Sequence, residues 1–188
     1  MKIINDPSKF DSTLSPPLVL TIGNFDGLHL GHQTLLYTAK EKGGNLIALT
    51  FANHPLEVLN PTSVPKKLYS LDEKMTLFSR FDVDVALVLH FNQTIAKQTA
   101  FTFLSTLRHS IPFTHLVLGS NAVLGHDRIH GQKGFETLGK SLGFHYTEVP
   151  LLEAEGTPIS SGRIRTLIHH QKQKEASTLL GRPYDLIE

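Results

Sequence analysis

The chain has 188 residues, with 18 basic against 17 acidic side chains, 40% apolar residues, 19% charged residues and no cysteine. The charge balance excludes a global pull toward nucleic acid or anionic membrane, and the absence of thiols excludes disulfides, thiolate metal sites and cysteine nucleophiles. The length allows one domain with a full core, and no apolar run approaches the roughly 20 residues needed to cross a bilayer.

In chain order, "MKIINDPSKFDSTLSPP" carries Asp6 and Pro7 early and has no long apolar stretch, so it does not read as a secretory leader. Leu18–Ile22 (LVLTI) is short, β-branched and continuously apolar, as in a strand buried on both faces. The glycine-spotted "GNFDGLHLGH" follows, and a helix is expected from His32 to the glycine pair Gly43–Gly44. A second strand, Leu46–Phe51, leads into "ANHP" and then into an irregular loop, Asn60–Ser70, long enough to be functional. Ser70 with Glu73 three residues later is a capping-box start for a helix over Ser70–Phe81. Strands over Val85–Phe91 and His115–Gly119 flank a helix over Thr99–Ser110. A further helix over Lys133–Gly143 precedes an alternating edge-strand candidate, Phe144–Pro150. Helices over Ser160–His170 and Lys172–Gly181 close the chain, the last stopped by Gly181 and Pro183. This alternation predicts a Rossmann-like, doubly wound α/β fold: a parallel sheet with helices on both faces, forming one domain over 1–188.

In such a sheet, ligands bind beyond the carboxyl ends of the strands. Four segments fall there: Gly23–His32, "ANHP", "GSNAVLGHDRIHG" and "ISSGRIR". Gly23 and Gly27 permit a tight turn, and Gly31 stands between His29 and His32 where a helix begins. A helix start offers free N–H groups to an anion, and the two imidazoles add donors beside it. Capped or solvent-exposed imidazoles fit the same spacing equally well. Zinc is disfavoured because no third ligand has the usual spacing, so no metal ligand is assigned. In "ISSGRIR", Ser160 or Ser161 suits an N-cap, while Arg163 and Arg165 offer forked donors suited to phosphate. An ordinary capped amphipathic helix with two solvated arginines has the same pattern.

"GNFDGLHLGH" resembles the G-x-F-D-x-x-H-x-G-H signature of the nucleotidyltransferase superfamily. "TIGNFDG", "LTFANHPLEVL", "ISSGRIR" and "ASTLLGRPYDL" together are similar to the adenylyltransferase domain of the bacterial bifunctional riboflavin kinase/FMN adenylyltransferases, the FAD synthetases. The likeness runs from about Leu18 to Leu186. It implies transfer of AMP from ATP, with Mg2+, to FMN, giving FAD and pyrophosphate. By resemblance, His29 and His32 contact the ATP phosphates, and Ser160, Ser161, Arg163 and Arg165 hold them from the other side. Gly23, Asn24, Phe25, Asp26 and Gly31 line the floor and the helix start, and Asn121 occupies an Asp/Asn position of the family. Phe51, His54 and Pro55 border the flavin. Ser120, Ala122 and Leu124 replace a Glu and two aromatics of the family loop, and Gly162 replaces a Thr. The family's riboflavin kinase barrel is not represented, so no kinase activity is expected of these residues; a single-activity form and an excised domain, with the riboflavin kinase domain a separate or excised partner, both fit. ATP and FMN are the expected partners, with no nucleic acid or membrane, in the cytoplasm. Two other readings remain open: a nucleotide- or flavin-binding homologue without turnover, and a nucleotidyltransferase with another phosphate acceptor.

Overall fold

A computed structural model describes residues 1–11 and 13–184. The end of the resemblance, at Asp185 and Leu186, lies outside the described residues. Six strands form one parallel sheet: β1 (Lys2–Ile4), β2 (Leu18–Ile22), β3 (Asn45–Phe51), β4 (Val85–Leu89), β5 (His115–Gly119) and β8 (His145–Val149). Two-stranded ribbons are made by β6 (Val123–Leu124) with β7 (Ile129–His130), and by β9 (Glu153–Ala154) with β10 (Thr157–Pro158). The helices are α1 (Leu30–Lys40), α2 (Leu56–Leu59), α3 (Leu71–Arg80), α4 (Gln93–Ala96), α5 (Ala100–Ser110), α6 (Gly131–Leu142), α7 (Ser161–His169) and α8 (Gln173–Leu180).

The sheet order is β1-β4-β3-β2-β5-β8. The chain winds outward from β2 to β4, then crosses to β5 and winds to β8, so the topological switch lies between β2 and β5. Alternate strand residues feed two cores. Val19, Ala48, Ala86, Val117 and Val149 pack with α1, α3, α7 and α8 on one face. Leu20, Ile47, Leu87, Leu116 and Leu118 pack with α5 and α6 on the other. That double burial is why these strands read as continuous apolar runs.

The doubly wound expectation is met, and Phe144–Pro150 contains the edge strand β8. Several boundaries shift by a few residues, and one strand is added. The strand expected through Phe91 ends at Leu89, because the Asn53 side chain takes both backbone groups of Phe91, accepting from its N–H at 2.8 Å and donating to its C=O at 2.9 Å. The helix over Lys133–Gly143 begins two residues earlier, at Gly131. β1, too short to show a period, adds a parallel edge beside β4. The capping box forms as expected: Ser70 Oγ accepts from the Glu73 N–H at 3.2 Å.

Candidate functional site

The carboxyl end of β2 runs into a turn that few sequences could follow. Phe25 (φ 49°), Gly27 (φ 83°) and Leu28 (φ 38°) all occupy the left-handed region. Two non-glycine residues there cost of order 1–3 kcal/mol each and persist only where the surroundings dictate it. Both are fully buried in the core. Gly27 also lacks room for a side chain, since a Cβ would fall 2.7 Å from Leu68. Gly23 has no positive φ, contrary to the turn role expected of it; it leaves space for the Phe25 ring, 3.1 Å from where its Cβ would stand.

His29 is the N-cap of α1, its Nδ1 accepting from the His32 N–H at 3.4 Å. An acceptor Nδ1 leaves the proton of the neutral ring on Nε2. The rings of His29 and His32 stack at 3.8 Å, and His32 lies 5.3 Å from the Phe25 ring. His32 Nδ1 is buried without a partner among the described residues, so Nε2 is the nitrogen left for a ligand. Burial pulls His29 down to about 4, with Asp26 opposing and Arg182 adding to the shift. His32 lies well below its ordinary range, first through burial and then through the charges of His29, Lys74 and Arg182. At neutral pH both rings are therefore uncharged. Gly31 is where it is because a Cβ would press on the His29 ring at 3.3 Å.

The start of α7 faces this turn. Ser160 caps it, its Oγ accepting from the Arg163 N–H at 3.2 Å. Ser161 Oγ donates to the Asp26 carbonyl at 2.7 Å. Arg165 pairs with the Asp26 carboxylate and donates to the Lys66 carbonyl at 2.6 Å. Asp26 also accepts from the Leu68 N–H at 3.0 Å. Arg163 turns away: its guanidinium donates to the carbonyls of Ala154 (2.9 Å) and Thr157 (3.0 Å), bracing the β9–β10 ribbon.

Between these elements lies a cleft of about 390 Å³, within the range of small-molecule sites. Of the expected residues, Gly23, Asn24, Phe25, His29, Gly31, His32, Phe51, Pro55, Asn121, Ser160 and Ser161 line it. Ala122 and Leu124 form part of its wall. Asp26 and His54 line a smaller adjoining cleft with Lys67, Tyr69 and Lys74. His54 Nδ1 accepts from the Leu56 N–H at 3.1 Å, and burial, then Arg165, lowers its pKa.

Sequence reasoning missed the supports beneath the site. Arg182 donates to the carbonyls of Gly27 and Leu28, and the Gln33 amide donates to Leu28 (2.9 Å) and Leu180 (2.8 Å). The "LLGRPY" segment thus clamps the strained turn from below. Lys74 donates to the Asn24 carbonyl at 2.8 Å and to Thr50 Oγ1 at 3.1 Å. A signal existed: Leu71, Lys74, Met75 and Phe78 follow the i, i+3, i+4, i+7 spacing of a buried stripe, with a lysine on it.

The model of the FAD synthetase family matches residues 11–163. A protein named FAD synthetase from Listeria monocytogenes is 33% identical over 170 residues, covering 88% of this chain and 69% of its own length. A bifunctional riboflavin kinase/FMN adenylyltransferase from Haemophilus influenzae is 32% identical, covering 88% of this chain. The chain spans 55% of that relative's length. A solved structure titled as a macrolide-efflux protein from Streptococcus pneumoniae superimposes with a TM-score of 0.84 at 26% identity, over 97% of this chain and 60% of that one.

Proposed function

Because the chain belongs to the FAD synthetase family, we propose that it transfers the AMP group of ATP to the phosphate of FMN, giving FAD and pyrophosphate. The observation that carries this reading is the pair of stacked, uncharged histidines at the start of α1, facing the capped start of α7 across one cleft. An FMN phosphate oxygen attacks the α-phosphorus of ATP. The bond to the oxygen bridging toward the β-phosphorus breaks, and pyrophosphate leaves with that electron pair. The attacking phosphate is already anionic at neutral pH, since its second pKa is about 6, so no general base is needed. Catalysis then rests on positioning and on donors for the charge gathering around the transferring phosphorus. Neutral imidazoles suit that role, because the Nε2–H of each donates without a proton having to move.

His29, His32, Gly31, Ser160 and Ser161 form the phosphate-facing set, with Asn24, Phe25 and Asn121 around it. Arg165 joins them by exchanging its Asp26 partner for a phosphate oxygen. Arg163 acts from outside the cleft by holding the β9–β10 ribbon. Phe51 and Pro55 on the wall and His54 next to it border the isoalloxazine. Among the described residues, no three His, Asp or Glu side chains stand close enough to cage a cation, and Asp26, paired with Arg165 here, is a single carboxylate once that arginine leaves it. Those residues do not make a resident magnesium site; Mg2+ enters as the counter-ion of ATP.

The test is chromatography of the purified chain incubated with FMN, ATP and Mg2+. FAD and pyrophosphate in equal amounts are expected. Bound FMN with no FAD would instead mean a binder without turnover, and neither FAD nor bound FMN would mean a different acceptor.

A further inference from the structure

One buried charge has no part in the chemistry above. Lys74 lies on the core face of α3 and is 7% exposed. Its ammonium donates to the Asn24 carbonyl at 2.8 Å and to Thr50 Oγ1 at 3.1 Å, and the fully buried Thr50 donates its own hydroxyl to the same carbonyl at 3.1 Å. Asn24 lines the cleft immediately before Phe25, the residue at φ 49° whose ring meets His32. An ammonium taken out of water costs several kcal/mol unless fully compensated, whereas a methionine of similar length would pack there without that cost. Thr50 alone would keep the Asn24 carbonyl bonded. Satisfying the backbone does not require the charge.

We propose that Lys74 is a positioning residue for the adenylyl transfer: its ammonium grips the Asn24 carbonyl, fixes the strained Asn24–Phe25 segment against His32, and sets a positive charge behind that histidine. The transfer itself rests on the function proposed above; the grip on His32 does not. Asp26 and Lys67 are the charged groups beside the ammonium, and His29 and Arg182 are those beside His32. Burial pulls Lys74 down to about 8, Asp26 opposing and Lys67 adding, so the charge persists at neutral pH and is lost in mildly alkaline solution.

The experiment compares the full chain with Lys74→Met by steady-state kinetics and by NMR of protein labelled with 13C-histidine. Turnover is expected to fall at least about tenfold, as for misplacement of a catalytic group, with KM for ATP and FMN within about threefold. The decline of kcat above about pH 8 expected of the parent disappears in the variant. The His32 ring resonances move, while those of His115 and His145, at the opposite ends of their strands, stay in place. A kcat within about threefold of the parent, or unmoved His32 resonances, overturns the proposal. If Lys74→Met does not fold, the parent labelled with 15N-lysine decides: kcat must fall with the titration of Lys74, and a kcat that stays level through it refutes the role. A parent that makes no FAD refutes the transfer reading alone, and the His32 resonances still decide the grip.

Discussion

His29 does two jobs that pull in opposite directions. As N-cap it must offer an unprotonated Nδ1 to the His32 amide; as a donor in the transfer we propose, it must keep a proton on Nε2. Burial reconciles them by holding the ring neutral, and that has a consequence for stability. The folded-state pKa of about 4 lies below the ordinary 6.5, so the unfolded chain binds more protons between those values. The His29 contribution is fully present above pH 6.5 and lost as pH falls through 4, on the order of 3 kcal/mol in total. His32 adds in the same direction. Urea unfolding at pH 7.5, 6 and 4.5 should show the parent losing more stability than His29→Gln; equal losses would show that the ring is not held neutral. The spacing of the two histidines was legible in the sequence, but their neutrality was not. It comes first from burial, which places His32 against the Phe25 ring in its unusual backbone conformation, and then from charges such as Arg182, some 150 residues away in sequence.

At the scale of elements, the site is a joint between two helix starts. α7 is tied to the β2 turn through Ser161 and Arg165, and both bonds end on Asp26. Hydroxyls and arginines at a helix start fitted an anion site and an ordinary capped helix alike, and Arg163 and Arg165 differ in use because only one faces the turn. Gly162 separates these roles. Its φ is not positive, and a Cβ there would meet only Ser160 Oγ at 3.8 Å, so the backbone does not require glycine. Gly162→Ala should raise stability by about 0.5–1 kcal/mol, the usual cost of a helical glycine, with FAD formation unchanged. A lower melting temperature would show that the α7 start needs its freedom. Elements with a clear period were the legible ones: five sheet strands and six helices. β1, the two ribbons and the four-residue helices α2 and α4 carry no period, because at two to four residues they are too short to show one.

For the whole molecule, the winding reversal between β2 and β5 opens the crevice, and the expected cleft-lining residues come from the carboxyl ends of strands, as Phe51 does, or from segments beyond them. The two cores, one on each face, make the sheet a rigid platform for loops that the sequence could only mark as polar and glycine-rich. What was not visible along the chain is the support from its far end, where Gln33 and Arg182 tie α8 to the strained turn. In the transfer we propose, a neutral histidine pair fixed in this way stabilises the transferring phosphorus by preorganised donation. The most direct measurement is the single-turnover rate of FAD formation for His32→Ala beside the parent, at saturating FMN and MgATP. The rate should fall by about 10²–10³-fold, as when one preorganised donor is removed, with nucleotide affinity little changed. A rate within about threefold of the parent would contradict the account.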